Sequence, residues 1–106
     1  MKSYNKLVRD NIPHIVMRDG GQPKTRKLSV PQYKEQLLRK IVEEAEEVSR
    51  AKGGAVLIKE ISDVEEVLDA IRIALKLDKK EIEHVRTQRK KERGGFAKRI
   101  FLESIG

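Results

Sequence analysis

The sequence predicts an all-α fold. Three observations carry it: 39% of the 106 residues are charged, only 4% are aromatic, and two long apolar stripes at helical spacing flank Gly53-Gly54. We expect one domain over residues 1–106, with two long antiparallel helices and shorter ones around them. Two amphipathic helices make half of a four-helix bundle, so a homodimer is expected to complete it.

The elements follow in order. Asp10-Asn11-Ile12-Pro13 is a helix-onset signal, since Pro is tolerated in a first turn, and Gly20-Gly21 stops the short helix it opens. Residues 22–29 read as extended or irregular. The second helix should begin at Ser29-Val30-Pro31 and run to Gly53-Gly54, with Leu37, Leu38, Ile41, Val42, Ala45 and Val48 along one side. The third should run from about Ala55 to Leu77 on a stripe that includes Val56, Ile61, Val64, Val67, Leu68 and Ile71. Ile73 and Leu77 fall outside that stripe, so this helix is expected to meet a second partner, another subunit being one candidate. Asp78-Lys79-Lys80-Glu81 resembles a capping box and opens a fourth, strongly charged helix that ends at Gly94-Gly95. Residues 96–102 are β-prone, and a short terminal strand is expected there.

Composition excludes several classes. With no Cys and two His, there is no disulfide scaffold, zinc finger or thiol nucleophile. No apolar run reaches membrane-spanning length and the start lacks a signal-peptide core, so a cytoplasmic protein is expected. The net charge of +7 is unevenly spread: residues 1–42 hold ten bases and three acids, 43–69 nine acids and three bases, 76–99 ten bases and four acids. Phosphates would be repelled by that central acidic block, so nucleic acid is not the expected partner. Acids between basic segments suit divalent cations that hold a phosphorylated small molecule.

Projection at about 100° per residue sorts those acids. Glu43, Glu46, Glu65, Glu66 and Asp69 point away from the apolar stripes, as solvated residues should. Glu44 lands at the stripe edge and Glu47 about 60° further round on the same side. Asp63 sits at the edge of the third helix's stripe and Glu60 inside it. A carboxylate on a core-facing stripe is costly unless its charge is compensated, and Lys59 and Arg50 are expected to project elsewhere. Glu44, Glu47, Glu60 and Asp63 would therefore converge between the helices. Such a set of oxygens suits Mg²⁺, with Mn²⁺ able to substitute. Solvated Glu-rich helix faces are far commoner than metal sites; Glu60 is the residue that reading leaves unexplained.

Glu43-Glu44-Ala45-Glu46-Glu47 followed by Glu60-Ile61-Ser62-Asp63 resembles the split acidic signature of the MazG-like all-α nucleoside triphosphate pyrophosphohydrolases. Lys6-Leu7-Val8-Arg9-Asp10-Asn11-Ile12-Pro13 and Lys91-Glu92-Arg93-Gly94-Gly95-Phe96 are similar to stretches of the small house-cleaning branch of that superfamily. The resemblance implies Mg²⁺-dependent hydrolysis of a nucleoside triphosphate, of a non-standard or damaged kind, between its α and β phosphates. The products would be a monophosphate and pyrophosphate. It further implies that Glu44, Glu47, Glu60 and Asp63 are metal ligands and catalytic residues, with Glu43 a further acid of the motif and a homodimer or tetramer as the assembly. Glu47 is the candidate to take a proton from the attacking water. Lys91 and Arg93 are candidates to hold the phosphate tail, as are Lys6 and Arg9 more weakly; a charged helix end and a tie of the N-terminal segment to the bundle are the plainer roles.

Two other readings stay open. Phosphoribosyl-ATP pyrophosphohydrolase has a similar acidic bundle. A non-catalytic helical module that binds nucleotide or nucleic acid would also accommodate the positive charge, although the residues after Gly54 (Ala55-Val56-Leu57-Ile58) are apolar where base-reading groups would stand.

Overall fold

A computed structural model describes residues 4–106 and contains four helices: α1 (Ile12–Arg18), α2 (Val30–Arg50), α3 (Gly54–Ala74) and α4 (Lys79–Arg93). The helices group into two compact units, one holding α1 to α3 and ending at Leu75, the other running from Lys76 to Gly106 and holding α4. In the first unit α2 and α3 pack against each other as an antiparallel pair, as the sequence leads one to expect.

Local signals set the helix ends. α1 has Pro13 in its first turn and ends in a Schellman pair: Gly20 N–H donates to the Met17 carbonyl at 3.0 Å and Gly21 N–H to that of Val16 at 2.8 Å. Gly20 takes the left-handed backbone this ending requires, at φ 93°. Residues 22–29 are irregular, as anticipated. α2 opens with a full capping box, in which Ser29 Oγ accepts from Gln32 N–H while Gln32 Oε1 accepts from Ser29 N–H, each at 3.3 Å. Its end and the start of α3 are joined by residues 51–53 alone, with Gly53 at φ 89° making the reversal. α3 stops three residues before the expected Leu77, where Lys76 takes a left-handed backbone at φ 56°. In the second unit Asp78 caps α4 by accepting from Lys80 N–H at 2.9 Å, and Lys90, Lys91 and Arg93 favour its C-terminal dipole.

One expectation is corrected. Residues 96–102 form no strand; a turn closed by Arg99 N–H on the Phe96 carbonyl at 3.1 Å is the regular feature there. A β-prone segment needs a second strand to satisfy its backbone, and the described residues contain none.

The seam between α2 and α3 sets the position of everything that follows. Among the described residues two are buried: Leu37 at 3% exposure and Glu60 at 8%. Tyr33, Ile41 and Val48 on α2 and Val64, Val67 and Ile71 on α3 are half-buried around them. Both helices carry a second apolar row at helical phase, Leu38 and Val42 on α2 and Leu57, Ile61 and Leu68 on α3, and this row is exposed. The pair is thus two-sided, with acids along one flank of the seam and uncovered hydrophobic side chains along the other.

Candidate metal centre

The acidic flank is built from two helical spacings that meet across the seam. Glu44 lies about two turns before the end of α2, while Glu60 and Asp63 stand at i and i+3 on α3. One carboxylate oxygen from each of the three lies within 4.8 Å of the others. Glu44 and Asp63 are half-buried and Glu60 is buried. Oxygens on opposite sides of an octahedral Mg²⁺ lie about 4.2 Å apart. The cluster therefore needs only small side-chain adjustments to take such an ion, and its hard-oxygen donor set is the right chemistry for it.

Four bases surround these acids. Lys40 is largely buried and lies 3.3 Å from Glu43 and 3.7 Å from Glu44. Lys59 donates to Glu60 at 3.2 Å and lies 3.9 Å from Asp63, with its own side chain 71% exposed. Arg9 donates to Asp63 at 2.8 Å and Lys6 to Glu43 at 3.0 Å. Carboxylates this close repel one another, and these bases offset the repulsion. Burial pushes the Glu43 carboxyl up, but hydrogen bonds from Lys6 and Lys40 outweigh it and hold the group below its ordinary range. The hydrogen bond to Glu43 raises Lys6, and the one to Glu60 raises Lys59.

Of the four acids expected to converge, the structure brings together Glu44, Glu60 and Asp63. Glu47 stands apart with a half-exposed side chain, 3.8 Å from Arg50. It shares with Glu60 a shallow cleft of about 310 Å³, also lined by Arg50, Ala51, Lys52 and Val56. Glu43 joins the Lys6 and Lys40 pairs instead of pointing freely into solvent. Lys91 and Arg93 lie in the last turn of α4, exposed, in the other compact unit.

Lys59 does not project elsewhere, as helical phase suggested. Its flexible four-carbon stem reaches both its sequence neighbour Glu60 and Asp63 four positions on. Lys40 was missed, although its i+3 and i+4 relation to Glu43 and Glu44 could have revealed it. Comparison of the chain with protein-family models, with curated proteins and with solved structures found no match.

Proposed function

We propose that the chain is a Mg²⁺-dependent nucleoside triphosphate pyrophosphohydrolase that acts on a non-standard or damaged nucleotide. The observation that carries this reading is the burial of Glu60 beside Glu44 and Asp63. A carboxylate sunk into a helix seam is costly, and Lys59, 71% exposed, offsets only part of its charge; a divalent ion shared with Glu44 and Asp63 would supply the rest. The resemblance of the EExxE and ExxD motifs to the MazG-like signature supports the same reading. No helix among the described residues is long and apolar enough to cross a membrane.

In this proposal Glu44, Glu60 and Asp63 hold the ion. Mg²⁺ bound there would neutralise a triphosphate and lower the pKa of a coordinated water. Glu47, beside Glu60 in the cleft and half-exposed, is the group placed to accept a proton from that water. Arg50 and Lys52 line the same cleft and can pair with phosphate oxygens. Positioning and charge neutralisation supply most of phosphoryl-transfer catalysis, so the absence of Cys is no obstacle. The working form in this proposal is a homodimer in which the row Leu38, Val42, Leu57, Ile61 and Leu68 is covered by a second copy, completing a four-helix bundle.

The test is pyrophosphate release from a panel of standard and damaged nucleoside triphosphates with Mg²⁺ or Mn²⁺. Turnover should vanish with EDTA and fall at least about 100-fold in the double variant Glu60→Gln with Asp63→Asn, whose helical circular dichroism should be retained. Undiminished activity in that variant would refute the assignment.

A further inference from the structure

The N-terminal segment reaches the acidic flank through two ion pairs, with Leu7 between them half-buried. Residues 5–11 form no helix or strand. Among the described residues, the hydrogen bonds from this segment to the α2–α3 pair are two, both from side chains: Lys6 to Glu43 and Arg9 to Asp63. Arg9 stands 54 positions from its partner and Lys6 37 from its own. Both bases are about half-exposed, at 45% for Lys6 and 56% for Arg9. Ion pairs with that much water around them are weak and readily exchanged.

Asp63 is where two roles meet. Its Oδ1 accepts from Arg9, while Lys59 stands 3.9 Å from its Oδ2. It is also one of the three residues whose oxygens converge. A carboxylate that binds a divalent ion places its negative charge on that ion, and the pull it exerts on a neighbouring guanidinium drops accordingly. Arg9 and a divalent ion therefore compete for the same charge.

We propose that residues 5–11 are an ionic strap over the acidic cluster, which a divalent cation releases by displacing Arg9 from Asp63. The proposal rests on the metal-site reading above and adds a regulatory step to it. With no ion bound, Arg9 pairs with Asp63 and Lys6 with Glu43, and the segment stays seated. With an ion bound, Arg9 comes free at the rim of the site, as a guanidinium able to pair bidentately with an incoming phosphate. Release of the strap and creation of an anion-binding group are then one event, and metal binding precedes productive nucleotide binding.

The experiment uses the full chain without nucleotide. Mg²⁺ affinity is measured by titration calorimetry, and backbone ¹⁵N order parameters of residues 5–11 are measured with and without MgCl₂. The order parameters of the wild-type segment should fall once Mg²⁺ is bound. Arg9→Gln removes the competing cation and should bind Mg²⁺ about three- to fivefold more tightly, with Arg9→Lys close to wild type. Lys6→Gln, whose partner Glu43 lies outside the converging set, should change the affinity less. If Mg²⁺ binds wild type and Arg9→Gln equally and the order parameters of residues 5–11 do not change, the strap is overturned while the metal site stands. If neither protein binds Mg²⁺, both the strap and the metal site fall. Binding by Arg9→Gln but not by wild type would overturn release by the cation, since Arg9 would then hold the site closed against it.

Discussion

Arg9 Nη2 and Asp63 Oδ1 lie 2.8 Å apart, across 54 positions of sequence. Their contact joins a segment without secondary structure to the middle of α3, at a residue that also faces Glu44 and Glu60. Among the described residues few are buried, and the side-chain hydrogen bonds that span the longest stretches of sequence meet on the acidic flank.

Glu60 should cost the metal-free protein stability. Its side chain is 11% exposed, and its partner Lys59 is mostly in water and would lose little if the carboxylate were removed. Replacing a buried charge by an apolar side chain of similar volume is often stabilising, so Glu60→Leu in EDTA should gain about 1–2 kcal/mol in urea unfolding. Saturating Mg²⁺ should stabilise the wild type, by about 2.7 kcal/mol at a hundred times its Kd, and leave the variant nearly unchanged. A variant less stable than wild type in EDTA would mean that the carboxylate supports the fold rather than a ligand.

The Lys6–Glu43 pair sets a pH window for the metal-free chain. Glu43 is held below 4.5 in the folded state, so its contribution is complete above that value and lost as acid titrates the group through its lower folded pKa. Lys6 is raised above 10.5, so its contribution is complete below that value and lost as pH rises through its higher folded pKa. Urea midpoints measured in EDTA should fall at both extremes, and Lys6→Gln should soften the acid limb and abolish its share of the alkaline one. Equal pH profiles for the two proteins would count against the pair.

The uncovered apolar row should govern assembly. Val42 and Leu68, at 58% and 51% exposure, are large hydrophobic residues on the flank away from the acids. A buried Glu at either position of a self-complementary interface faces its own copy or an apolar surface and cannot be satisfied. Val42→Glu and Leu68→Glu should each halve the mass seen by sedimentation equilibrium and leave Mg²⁺ binding intact. A wild type that sediments as a monomer would remove the need for that cover.

Much of the fold was legible because its signals are local. Ser29 with Gln32, Pro13 and Pro31 in first turns, and Gly20, Gly53 and Gly94 at helix ends each act within a few residues. The end of α3 was placed too late because Leu75 continues the apolar stripe, whereas termination came from the left-handed Lys76, a residue type with no preference for that backbone. The strand at residues 96–102 was a propensity without a partner. At the site, Glu60 and Asp63 stood out because their phase opposes their charge. Glu47 did not join them: it stands about 60° beyond Glu44 on α2, and Arg50 at i+3 is close enough to draw its long side chain. The pairing of Arg9 with Asp63 leaves no periodic trace, since nothing in residues 5–11 repeats with α3.

The three-residue connection after α2 has one more consequence, and it concerns the order of events as the chain folds. Glu44 and Glu60 stand symmetrically about Lys52, so their encounter is among the shortest-range contacts between the two helices and forms as soon as the hairpin zips from its turn. The acids thus confront one another early, before residues 5–11 need be in place. Lys40 and Lys59, carried on the same two helices, are the bases close enough to quiet that repulsion at this stage. Arg9 arrives over a much longer loop, as the last cation to reach a cluster already assembled.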